Sequence, residues 1–103
     1  MNSEVLILYS RKGCCLCQTL EKKLSNISLE NLKPSMVLSI VDIDSKKVSL
    51  DIQMKYTNEV PVLVLDSNKL LKKIELSRVS PRLKEDMLFS WIQKNLNILY
   101  KTS

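Results

Sequence analysis

Apolar residues run without polar interruption from Val5 to Tyr9, a short and partly β-branched stretch. That pattern predicts a strand buried on both faces. Ser10 to Gly13 break the run, and the period then changes. Cys17, Leu20, Leu24 and Ile27 recur at steps of three and four, while Glu21, Lys22, Lys23 and Asn26 take the opposite face. This spacing predicts an amphipathic helix, which Pro34, in the segment Asn31 to Ser35, is expected to end. Met36 to Val41 predicts a second strand that closes into Asp42-Ile43-Asp44-Ser45. Strand, helix and strand with short connections imply a right-handed crossover and a parallel pair.

The segment from Lys46 to Tyr56 carries two patterns at once. Val48, Leu50, Ile52, Met54 and Tyr56 alternate strictly, which by itself predicts a strand. A helix starting near Ser49 would instead put Ile52 and Tyr56 on one face. Farther on, Val60 to Asp66 reads as a third strand opened by Pro61. Ser67-Asn68 is a turn signal, and Leu70 to Leu76 can pair back as a hairpin. Ser80-Pro81 has the form of a helix start, a capping hydroxyl followed by proline. Leu83, Met87, Leu88, Trp91, Ile92, Asn95 and Leu96 then follow helical spacing.

A chain of 103 residues is expected to form one domain, residues 1–103, with a single core. A domain of this size buries roughly 60–65% of its unfolded surface. One glycine and three prolines argue against a flexible linker or a low-complexity tail. Asn2, Ser3 and Glu4 supply no basic start for a signal peptide, and no apolar run approaches the roughly 20 residues of a membrane span. The expected setting is the cytoplasm, without membrane contact. The net charge of +5 comes from 16 basic and 11 acidic residues. The lysines are scattered in pairs, and with only five aromatics no stacking platform for nucleic acid is evident.

The three cysteines change the picture most. Cys14, Cys15 and Cys17 crowd into four positions directly after Gly13, the only glycine. They cannot frame a secreted scaffold and instead read as a reactive or metal-binding site. A cysteine at a helix N-terminus faces backbone N–H groups and the positive end of the helix dipole. Such sites lower a thiol pKa from about 8.5 to roughly 3.5–7.5. Cys14 is therefore the expected attacking thiolate. Cys17, one turn on and on the same stripe as Leu20 and Leu24, is the expected resolving thiol. Cys15 reads as an exposed first-turn residue or an accessory thiol. A closed zinc site usually takes four Cys or His ligands. With no histidine and no second cysteine pair, no resident metal is expected.

The run Leu8-Tyr9-Ser10-Arg11-Lys12-Gly13-Cys14-x-Leu16-Cys17 resembles the active-site strand and turn of glutaredoxins. It is most similar to a short glutaredoxin-like branch with a Gly-Cys-x-Leu-Cys motif. Asp42-Ile43-Asp44, and Tyr56 followed five residues later by Pro61, match that branch as well. The resemblance implies an α/β thioredoxin-like fold in the order β-α-β-α-β-β-α. Its four-stranded mixed sheet has the order 2-1-3-4 and is flanked by helices. It therefore implies a short helix within residues 46–56. The residues alone favour a trans Pro61 opening an edge strand. The resemblance implies a cis bond, with Pro61 facing the cysteines and the Val60 backbone pairing with substrate like an added strand. It also puts Arg11 where glutaredoxins carry a lysine for the glutathione carboxylate.

One departure bears on the reductant. Glutathione-using glutaredoxins carry a Gly-Gly and Asp motif before the last helix. Here that stretch reads Leu76-Ser77-Arg78-Val79-Ser80-Pro81, with no glycine or acid. Glutathione as co-substrate and a thioredoxin-type reductant are thus equally open. The combined expectation is a monomeric dithiol oxidoreductase with no bound cofactor, acting on protein disulfides or glutathione mixed disulfides. The alternatives are a thioredoxin-fold adaptor without redox turnover, and a cysteine-ligated metal or iron–sulfur carrier.

Overall fold

The computed structural model describes residues 4–76, 79–80 and 82–101. Its elements are β1 (Glu4–Ser10), α1 (Cys15–Asn26), a 3₁₀ turn (Leu29–Asn31), β2 (Met36–Asp42), α2 (Leu50–Tyr56), β3 (Val62–Ser67), β4 (Lys72–Glu75) and α3 (Glu85–Lys101). The strands form one sheet in the order β2-β1-β3-β4. β1 pairs parallel with β2, Leu6 opposite Leu38, and antiparallel with β3, Leu6 opposite Leu65. β3 and β4 close an antiparallel hairpin. This is the mixed α/β arrangement that the resemblance implies.

β1 lies inside the sheet with helices on both faces, so both sets of its side chains are buried. Leu6 and Leu8 pack with Leu20 and Leu24 of α1, Leu63 and Leu65 of β3, and Leu88, Ile92 and Leu96 of α3. Ile7 and Tyr9 face the other way, toward Ile43, Tyr56, Val62 and Val64. This two-sided burial is the physical reason the run Val5 to Tyr9 lacks polar alternation. Truncating a fully buried leucine such as Leu20 to alanine costs on the order of 2–5 kcal/mol.

α2 settles the double pattern of residues 46–56 in favour of a helix. Ser49 caps it, its Oγ accepting from the Ile52 N–H at 3.3 Å, and Asp51 sits in the first turn. Ile52 and Tyr56 face the sheet. Leu50 and Met54, which strict alternation would bury, are 68% and 73% exposed. Tyr56 stacks against Tyr9 with ring centroids 5.2 Å apart, and its hydroxyl donates to Glu75 Oε1 at 2.9 Å. Tertiary packing of one aromatic outweighs a local period of two.

Three element ends differ from expectation. α1 stops at Asn26, where Ile27 turns extended, so Pro34 lies well beyond the helix and does not end it. The chain leaves because Leu29 and Leu32 turn into the core. β3 begins at Val62 and not at Val60. α3 begins at Glu85. Ser80 opens only a turn: its Oγ accepts from the Arg82 N–H at 3.2 Å and its carbonyl from the Leu83 N–H at 3.1 Å. Pro81, Ser77 and Arg78 fall outside the described residues. Both Lys33–Pro34 and Val60–Pro61 are cis; the former has no signal in the sequence. Among the described residues, no helix is long and apolar enough to cross a membrane.

Among the described residues, Glu4 is the one acid that the sheet draws inward. It is buried at the start of β1, where its carboxylate accepts from the N–H groups of Asn68 and Lys69 at 3.1 Å each and from the Tyr100 hydroxyl. It thereby ties the β3–β4 turn and the end of α3 to the first strand. Burial disfavours the charged form, but hydrogen bonds from Ser67, Tyr100, Lys69 and Asn68 hold this carboxyl below its ordinary value. Burial and the Glu4 carboxylate push the Tyr100 phenol up to about 12, so it stays a donor.

Candidate active site

The site is built at the C-terminal end of β1, where the parallel strands stop and α1 begins. Gly13 has φ +79°, a left-handed conformation that favours glycine. It turns the chain so that the Cys14 N–H donates back to the Arg11 carbonyl at 3.2 Å. Cys14 then takes the N-cap position with extended backbone angles. Its Sγ accepts from the Cys17 N–H at 3.1 Å, and its carbonyl accepts the Gln18 N–H at 3.0 Å. The sulfur of Cys14 thus does what a serine or aspartate does at other helix starts.

Cys14 and Cys17 are paired at disulfide distance, with Cα atoms 5.2 Å apart, inside the usual range for such a bridge. The two sulfurs are unequally placed. Cys17 is 1% exposed among the α1 core residues, whereas Cys14 is partly open to solvent. Cys15 is a free, exposed thiol, and Leu16 beside it is exposed as well. An open pocket of about 310 Å³ flanks the pair, with Cys17, Arg11, Lys12, Glu21 and Asp42 in its wall. Among the described residues, no group of three or more His, Cys, Asp or Glu side chains gathers as a metal site.

Arg11 is engaged on three sides. Its Nε donates to Asp44 Oδ2 at 2.8 Å and its Nη2 to Asp44 Oδ1 at 3.0 Å, a two-pronged pair. The third arm, Nη1, donates to the Thr57 carbonyl at 3.0 Å. Asp44 is held in turn by its own N–H, which donates to Asp42 Oδ1 at 2.9 Å. The contact with Arg11 lowers the Asp44 pKa, and Asp44, aided by the charge of Asp42, raises that of Arg11. One cation therefore links the cysteine turn, the loop after β2 and the end of α2. The chain runs on from there to Val60 and the cis bond to Pro61. Val60 packs against the Ile7–Tyr9 face.

A family model for the glutaredoxin-like domain (DUF836) matches residues 5–93. The chain belongs to this family. The match spans the cysteine turn, Arg11, the loop with Asp44, and Val60-Pro61. No curated protein matches this glutaredoxin-like chain at a significant level. Its fold is shared by solved structures. Thioredoxin-2, described as a component of malaria parasite protein secretion machinery, aligns with TM-score 0.61 and 20% identity over 90% of this chain and 84% of that one. A mutant thioredoxin from Halobacterium salinarum NRC-1 aligns with TM-score 0.58 and 22% identity over 91% and 75%. A malarial protein aligns with TM-score 0.60 and 20% identity over 92% and 99%.

The structure places Cys14 and Arg11 on one turn and a cis bond at Val60–Pro61, and it gives Arg11 pairings that have no signal in the sequence. In the sequence, Asp44 stands out only as part of the Asp42-Ile43-Asp44 motif that matches the glutaredoxin-like branch. No local pattern announces an ion pair between residues 33 positions apart.

Proposed function

We propose that this glutaredoxin-like chain is a thiol–disulfide oxidoreductase that works by dithiol exchange. The observation that carries this reading is Cys14 at the N-cap of α1, partly open, with buried Cys17 within bonding reach. In the reduced protein, the Cys14 thiolate attacks one sulfur of a substrate disulfide. A Cys14–substrate bond forms, and the other substrate sulfur leaves as a thiolate that takes a proton from water. Cys17 then loses its proton and attacks Cys14 Sγ. The substrate departs as a second thiol, reduced by two electrons, and the pair is left oxidised. An external dithiol, or two equivalents of a monothiol such as glutathione, reduces it again. The helix N-terminus favours the Cys14 thiolate both as nucleophile and as leaving group.

Val60 and Pro61 are assigned to the substrate side of the site, with Val60 offering its backbone to an extended segment. No bound cofactor enters the cycle. Cycling of this kind needs a reducing compartment, and we assign the cytoplasm. The test is capture with Cys17→Ser. This variant should accumulate a mixed disulfide at Cys14 with a disulfide-bonded peptide, and the complex should release on adding dithiothreitol. Adding Cys14→Ser should abolish capture. Equal capture without Cys14, or none in its presence, contradicts the assignment.

A further inference from the structure

We propose that Asp44 is a specificity-determining residue: by occupying Arg11 it turns away small disulfides that carry a carboxylate beside the scissile bond. The inference rests on thiol–disulfide exchange at Cys14 and names the substrates that site disfavours. Arg11 lies three residues before Cys14, anchors its N–H, and stands in the same pocket wall as Cys17. A guanidinium binds a carboxylate best through two parallel N–H groups. Here Asp44 takes the Nε and Nη2 pair, at 2.8 and 3.0 Å, and the Thr57 carbonyl takes one N–H of Nη1 at 3.0 Å, so three of the five N–H donors are engaged.

The surroundings point the same way. Asp42 pre-sets Asp44 through the 2.9 Å bond to its N–H and adds a second negative charge near Arg11. Glu21 lines the pocket with Asp42, opposing the charges of Arg11 and Lys12. An incoming carboxylate must either displace the tethered Asp44 or share the guanidinium with it beside a like charge, while its own ordering still costs free energy. A disulfide in a neutral or basic stretch of protein meets no such competition. The pocket therefore selects protein disulfides over acidic small-molecule ones.

The experiment titrates reduced wild type, Asp44→Ala and the double variant Arg11→Ala/Asp44→Ala with S-methylglutathione, an unreactive dicarboxylate, following amide chemical shifts. Asp44→Ala should bind about threefold to fivefold more tightly than wild type, the scale of an exposed ion pair. The gain should vanish in the double variant and shrink as salt rises from about 0.05 to about 0.5 M. In turnover, KM for a glutathione–peptide mixed disulfide should fall by a similar factor with kcat unchanged. Asp44→Asn, which keeps the loop's shape, should move in the same direction by less. Binding no tighter in any folded Asp44 variant, or a gain that survives loss of Arg11, overturns the proposal. Because the titration needs no turnover, an inactive wild type would sink the oxidoreductase reading without deciding this one.

Discussion

Replacing Gly13 with alanine puts a Cβ on a residue whose φ is +79°, at the turn that delivers Cys14 to the start of α1. A Cβ there meets no heavy atom within 4 Å, so no clash contributes. What remains is the left-handed conformation itself, which costs an L-residue about 1–2 kcal/mol. The stiffer unfolded chain of alanine offsets about 0.4–1 kcal/mol of that. The net loss is then roughly 1 kcal/mol, or about 4–8 °C in Tm for a domain of this size. Gly13→Asn should lose less, since asparagine adopts this region more readily. Thermal and urea denaturation of the three proteins, reduced and oxidised, gives the order Gly, Asn, Ala from most to least stable. An alanine variant as stable as wild type, or an asparagine variant below alanine, would refute the conformational argument.

Leu71 is the mirror case: it holds φ 56° in the β3–β4 turn while 87% exposed, so its side chain contributes little packing. Leu71→Gly should stabilise by about 0.5 kcal/mol, the left-handed cost less the entropy of a new glycine, and chemical denaturation showing a loss would count against this. Glu4 carries a pH signature. Its folded pKa lies below the ordinary 4.5, so its stabilisation is complete above that value and fades as pH falls through the folded pKa. Glu4→Gln should cost roughly 1–3 kcal/mol at neutral pH, with the gap to wild type closing in acid. Urea curves with a gap that does not begin to narrow as pH falls below the ordinary 4.5 would contradict it.

How much of this was legible in advance follows the range of the interactions. The strand Val5 to Tyr9, the turn at Gly13 and the cysteine stripe are written within a few neighbouring residues. Those features could be read directly. α2 could not, because Tyr9 and Glu75 decide where Tyr56 points, and neither is near it in sequence. Ser80-Pro81 carried a helix-start signal, but Ser80 spends its hydroxyl on Arg82, and the helix waits for Glu85. Glu4 reads as an ordinary surface acid until the β3–β4 turn and Tyr100 close over it. At the site, only the resemblance points to Arg11. Its engagement by Asp44 and Thr57 depends on the fold bringing three loops together at the ends of β1, β2 and α2.

The most direct test is the pH dependence of iodoacetamide alkylation of the fully reduced protein, resolved to each cysteine by mass spectrometry. If the start of α1 holds Cys14 as a ready thiolate, its labelling rate should reach half-maximum below about pH 7.5, and Cys17 should label far more slowly. A Cys14 midpoint at or above about 8.5, the value of a free thiol, or faster labelling of Cys17 than of Cys14, would contradict it.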